Sequence, residues 1–213
     1  LYALLLQLFS PLINVAQTLP GFIFTNWFQT FFFTIGVSGW TWGGLTNAFQ
    51  VPAMAQNLAE GLTGANGLLN VSEITHGIGL INMGGMGATL ALNVLMLFSK
   101  SSRPRTLGRV TIGPSLFNIN EPVIFGAPIL YNPVLMIPAN LAPIIGSILT
   151  WIIFRLDLLG MPIVQATNVG TLPVIANTVM LTGDLRGILW WFVMFAVHIV
   201  LYFPFFKAFE KAE

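Results

Sequence analysis

The first 59 residues of this 213-residue chain contain no Asp, Glu, Lys or Arg, and the first charge is Glu60. A second uncharged stretch runs over residues 74–99, between Glu73 and Lys100. Soluble domains carry about 25% charged residues; here the figure is 7%, against 55% hydrophobic residues. So few charges cannot cover the surface of a soluble domain this size, so the chain is read as an all-α integral membrane protein, multi-pass and lipid-embedded. The net charge of +1 offers no basic footprint, and nucleic acid is not an expected partner. Without cysteine there are no disulfides, thiolate metal sites or cysteine nucleophiles.

The charges also set the topology. A bilayer core needs about 20 apolar residues, so residues 74–99 are long enough for one span. That stretch ends at "KSSRPRTLGR", which holds Lys100, Arg103, Arg105 and Arg109, half of the eight basic residues. The positive-inside rule makes this loop cytoplasmic. "ILWWFVMFAVHIVLYFPFF" is a further span, and "KAFEKAE" after it places the C-terminus in the cytoplasm. Spans are also expected over residues 133–154 and 22–37, with residues 1–19 read as part of another helix, lying in the interface. The count is about five transmembrane helices. The chain starts at Leu1 with no Met and no basic leader, a start that reads as a fragment.

Two apolar segments are broken. Residues 110–132 contain Gly113, Pro114, Pro122, Gly126 and Pro128; residues 157–187 contain Gly160, Pro162, Gly170, Pro173 and Gly183. Non-helical backbone at membrane depth survives only where it is buried in protein or lines a cavity, and paired broken segments point to a transporter's central site. Both are expected to be re-entrant helical hairpins.

The first hairpin carries "SLFNINEPVIFGAPILYNP". Between Val110 and Phe154, Glu121 is the only charged residue. An intramembrane carboxylate costs about 2.5–3.5 kcal/mol even on lenient scales, so such acids usually face a pathway. Three jobs fit it: a proton relay, a cation ligand, or an acceptor for the hydroxyls of a polyhydroxylated substrate. Asn118 and Asn120 add neutral donors and acceptors, and Pro122 releases a backbone carbonyl. A structural alternative has Glu121 satisfying amides in a tight turn.

These residues resemble the lactose/cellobiose (diacetylchitobiose) family of bacterial phosphotransferase-system permeases, the membrane IIC component. "GPSLFNINEPVIFGAPILYNPVLMIP" carries the likeness, and "VPAMAQNLAE", "GGMGATLAL", "GMPIVQATNVGTLPVI", "LTGDLRG" and "YFPFFKAFEK" follow the family's order of blocks. The resemblance implies a sugar permease of the bacterial cell membrane, handling a β-linked disaccharide and phosphorylating it with a phosphoryl group from a cytoplasmic IIB partner. It also implies that residues 1–213 are the C-terminal, substrate-binding part, that a dimerising N-terminal half is missing, and that the full-length form is a homodimer. Glu121 takes the family's catalytic position. Where the family has a histidine that helps hold the reacting hydroxyl, "FTIGVSGW" has Ser38, which hydrogen-bonds but carries no charge at neutral pH.

Secondary substrate-binding candidates are His76, Asn82 and Trp40, with Ser38, Asn118 and Asn120 beside Glu121. Trp42 stacks on a sugar face or anchors at the interface. His198 is expected in a helix–helix hydrogen bond, Asn132 and Asn140 as cavity lining or helix ties, and Asp184 with Arg186 as a boundary ion pair. "GGMGA" is read as a close-packing helix face, since it lacks the strand and lysine of a phosphate loop. No metal or organic cofactor is expected. Two other readings stay open: an ion-coupled secondary sugar transporter, or a truncated, inactive permease.

Overall fold

The computed structural model describes residues 14–61, 66–67, 77–160 and 172–212. Every regular element among them is helical. In chain order they are α1 (Leu19–Thr34), α2 (Trp40–Glu60), a π-helical turn (Gly77–Ile81), α3 (Thr89–Leu97), α4 (Ser102–Ser115), α5 (Glu121–Gly126), α6 (Pro133–Arg155), α7 (Val174–Thr182) and α8 (Arg186–Ala212). Among them α6 and α8 are long and apolar enough to cross a membrane. At 1.5 Å per residue they reach about 35 and 40 Å, whereas α1 reaches only about 24 Å.

The expected span over residues 74–99 is a correction. Its described part is not one helix: the π-helical turn leads into residues 82–88, and α3 starts only at Thr89. The cause lies in the backbone. Gly84, Gly85 and Gly87 have φ of +75°, +104° and +81°, and Ala88 has +53°. Four left-handed residues in five cannot continue a right-handed helix. "GGMGA" is therefore a loop and not a helix face.

The segment at residues 110–132 is interrupted, as its glycines and prolines require. α4 ends at Ser115 and Asn118 turns the chain at φ +61°. The six-residue α5 follows, and Tyr131 at φ +57° precedes α6. α4 begins at Ser102, upstream of the broken segment, and carries Pro114 one residue from its end. α4 lies against α3 through Gly108, where an added Cβ would sit 2.8 Å from the Leu97 nitrogen. A buried polar set locks the pair: Asn93 Nδ2 donates to Ser115 Oγ at 2.8 Å, and Thr111 Oγ1 donates to Asn93 Oδ1 at 3.1 Å. In the second broken segment residues 161–171 lie outside the described residues; α7 follows them and ends at Gly183, φ +66°.

Helix α1 is polar inward and aromatic outward. Thr25, Asn26, Gln29, Thr30 and Thr34 are buried, while Phe24 is 55% exposed. Its buried side faces α6, where Asn140 Nδ2 donates to Thr34 Oγ1 at 3.2 Å and Trp151 meets Phe22 at 5.9 Å. Asn140 is thus a helix tie. Thr25 and Thr30 hydroxyls donate to carbonyls one turn back, at 2.8 and 3.2 Å, which satisfies them without water. Polar-in, apolar-out packing is stable where the surroundings are lipid, since hydroxyls and amides can tie helices together there. Asn132 instead caps α6, accepting the Val134 N–H at 3.0 Å, with Pro133 in the first turn.

The basic loop and the end of α8 lie on one side of the molecule. The Glu210 carboxylate accepts from Ser99 Oγ at 2.5 Å and from the Lys100 N–H at 2.7 Å, and pairs with Lys207 at 2.7 Å. At the opposite end of α8, Arg186 and Asp184 form the expected ion pair at 2.6 Å.

Candidate functional site

Glu121 opens α5, with Asn120 before it as N-cap and Pro122 behind it in the first turn. The Asn120 carbonyl accepts the Val123 and Ile124 N–H groups, both at 2.9 Å, which fixes the turn without using the Glu121 side chain. The carboxylate is exposed. Around it the hairpin tip presents Phe117, Ile119 and Phe125 at 43%, 51% and 69% exposure. A carboxylate rimmed by apolar and aromatic groups suits a ligand with hydroxyls on its edge and C–H groups on its faces.

The two asparagines are spent differently from the expectation. Asn118 Oδ1 accepts the Gly84 N–H at 2.9 Å, and Asn120 Nδ2 donates to the Met86 carbonyl at 2.9 Å. Asn82, also a candidate ligand, accepts the Gly87 N–H at 3.3 Å. All three therefore hold the backbone of the loop at residues 82–88, whose left-handed residues leave those groups outside any helix. Thr89 adds a hydroxyl to the Gly84 carbonyl at 2.8 Å. One donor is left over: Asn118 Nδ2 is without a partner.

Ser38 is exposed in the turn between α1 and α2, its carbonyl accepting the Thr41 N–H at 3.0 Å. Two contacts bring this turn to the hairpin. Tyr131, just after α5, donates its hydroxyl to the Ile35 carbonyl at 2.6 Å and its N–H to the Thr34 carbonyl at 3.3 Å. The Met86 side chain lies directly on Gly39, leaving no room there for a Cβ. So the Ser38 turn and the Glu121 hairpin flank the same glycine loop.

The remaining candidates are less informative. Trp40 begins α2, but its side chain, like all of His76, lies outside the described residues. Trp42 packs its ring on Phe28 and Phe32 at 4.8 and 5.0 Å, so it belongs to an aromatic cluster on α1. His198 is fully buried on α8 with its ring at the Ala142 backbone of α6, so the expected helix–helix contact is present, in a geometry too loose for a well-formed hydrogen bond. Among the described residues no group of three His, Cys, Asp or Glu could hold a metal ion. An open groove of about 470 Å³ lies between α4 and the end of α5, lined by Arg103, Leu107 and Gly126 among others.

The comparisons decide the family. Residues 1–143 match the model of "Phosphotransferase system, EIIC". The chain belongs to this family. It is 38% identical over 134 residues to the lichenan permease IIC component of Bacillus subtilis (strain 168), covering 62% of the chain and 30% of that protein. It is 32% identical over 221 residues to the lactose-specific EIICB component of Staphylococcus aureus, covering 97% of the chain and 36% of that protein. Its structure resembles the crystal structure of ChbC, the IIC component of an N,N'-diacetylchitobiose-specific phosphotransferase system. The TM-score is 0.83 at 31% identity, over 95% of this chain and 47% of that one. The chain thus spans about a third of the length of the curated relatives it matches and just under half of ChbC. Its curated relatives are named as permease components, and among the described residues of this chain α6 and α8 are long and apolar enough to cross a membrane.

Proposed function

We propose that this chain forms the sugar site of a phosphotransferase-system permease and takes a β-linked disaccharide. The observation that carries the reading is the exposed Glu121 at a hairpin tip, brought with the Ser38 turn to one glycine loop. The names of the relatives, lichenan, lactose and diacetylchitobiose, support this substrate class.

In this reading Glu121 accepts a hydrogen bond from the sugar hydroxyl that reacts, and takes its proton as the oxygen attacks phosphorus. Ser38 holds a neighbouring hydroxyl, while Phe117 and Phe125 cover the ring faces. The phosphoryl group comes from a IIB protein, as the EIICB composition of the lactose-specific relative suggests. Transfer needs the attacking oxygen, phosphorus and leaving group nearly in line, so positioning supplies most of the catalysis. Exposed Lys100, Arg103 and Arg109 give IIB a basic landing edge. That edge and the end of α8 are cytoplasmic by the positive-inside rule.

The Glu121→Gln variant tests the assignment. It keeps the shape and one acceptor oxygen but removes charge and basicity. Sugar binding should weaken by about 1–3 kcal/mol for a lost charged hydrogen bond. IIB-dependent phosphorylation should fall much further, by about 10²–10⁴-fold for lost general-base assistance. Intact binding and phosphorylation would make Glu121 a turn-stabilising residue.

A further inference from the structure

The loop at residues 82–88 stands between the two parts of the proposed site, and its geometry has a remote origin. Its hairpin side is held by Asn118 and Asn120, and Gly85 packs so tightly on the Asn120 side chain that no Cβ would fit. Its other side rests on α6, where a Cβ at Gly87 would lie 3.1 Å from the Ala139 carbonyl. A further clamp comes from 115 residues away: the Tyr202 hydroxyl on α8 donates to the Gly87 carbonyl at 2.5 Å. Tyr202 is fully buried in the core cluster that contains Ala88, Val123 and Ile124. A buried phenol needs a partner, and here the partner is a carbonyl that the left-handed loop leaves outside any helix.

We propose that Tyr202 is a positioning residue of the site: its hydroxyl fixes the glycine loop and, through Met86 and Asn120, the spacing between the Ser38 turn and the Glu121 hairpin. Met86 transmits it on both sides, with its side chain on Gly39 and its carbonyl on Asn120. Without the hydroxyl the Gly87 carbonyl loses its bond, and the loop, still held by Asn82, Thr89, Asn118 and Asn120, gains freedom on the side that faces α6 and α8. The spacing would then broaden while the helices stay packed. The consequence for sugar binding rests on the function proposed above; the consequence for spacing does not.

Because the chain has no cysteine, the full chain can carry spin labels at Ser38→Cys and Ile119→Cys, both exposed positions. The distance distribution between them is read with Tyr202 and with Tyr202→Phe. The expected result is a narrow distribution that widens at least about twofold in Tyr202→Phe. In chains retaining Ser38 and Ile119, the same variant should bind the best of cellobiose, lactose and diacetylchitobiose about three- to tenfold more weakly, the worth of one hydrogen bond. Phe206→Leu is the packing control, since Phe206 shares the core of Tyr202 and has no hydroxyl. An unchanged width in Tyr202→Phe, an equal widening in Phe206→Leu, or a widening with no loss of affinity would overturn the proposal. If the unaltered chain bound none of the three sugars, the functional reading would fail and the width comparison alone would decide the positioning role.

Discussion

At Ser38 and Glu121 a single atom type decides the chemistry. A carboxylate can take a proton and a serine hydroxyl at neutral pH cannot, so of these two positions only Glu121 supplies a base. Ser38→His would supply the group that the family resemblance implies. The variant is expected to raise IIB-dependent phosphorylation by up to about 10²-fold, or to leave it unchanged where Ser38 is compensated, as read from labelled sugar phosphate. A large loss of sugar binding would instead make Ser38 an adapted ligand. Glu121 was legible in the sequence as the lone acid inside a broken apolar segment. The roles of Asn118, Asn120 and Asn82 were not. Each reads as a ligand by side-chain chemistry alone, and each is used on backbone groups of a loop. Asn118 and Asn120 reach theirs 34 residues away, a pairing that no local pattern carries.

Among the elements, the break in residues 110–132 was legible from their Gly and Pro content, although the backbone itself turns at Asn118 and Tyr131. The glycine loop was misread because small residues in a row support both close helix packing and left-handed backbone. Only the φ angles, including that of Ala88, separate the two. The join between α7 and α8 yields a pH prediction. Asp184 holds Gly160 through its N–H at 3.1 Å and pairs with Arg186, whose hydrogen bond keeps the Asp184 carboxyl down at about 2, from an ordinary 3.8. A lowered carboxyl stabilises the fold above its unfolded value and loses that contribution as pH falls through the folded one. The join should therefore hold at pH 5 and loosen as pH drops from about 4 to 2. Fluorescence of Trp190, whose indole donates to the Leu158 carbonyl at 3.2 Å, reports it. Asp184→Asn should remove this low-pH step.

For the whole molecule, the scarcity of charge fixed the solvent, and the polar-in, aromatic-out packing of α1 agrees with it. The number of spans was not legible, since an uncharged stretch as long as residues 74–99 reads as a helix until its glycines are placed. The bond network joining Glu210 to Ser99 and Lys100 shows one shared side for the basic loop and the end of α8, as the charge pattern led one to expect. In the proposed function, sugar uptake and phosphorylation are one event. Membrane vesicles containing the protein, given radiolabelled β-disaccharide, distinguish this from ion-driven uptake. With phosphorylated IIB inside and no ion gradient, the label should accumulate as sugar phosphate, and omission of IIB should abolish accumulation. Accumulation of unmodified sugar driven by a proton or sodium gradient without IIB would contradict it.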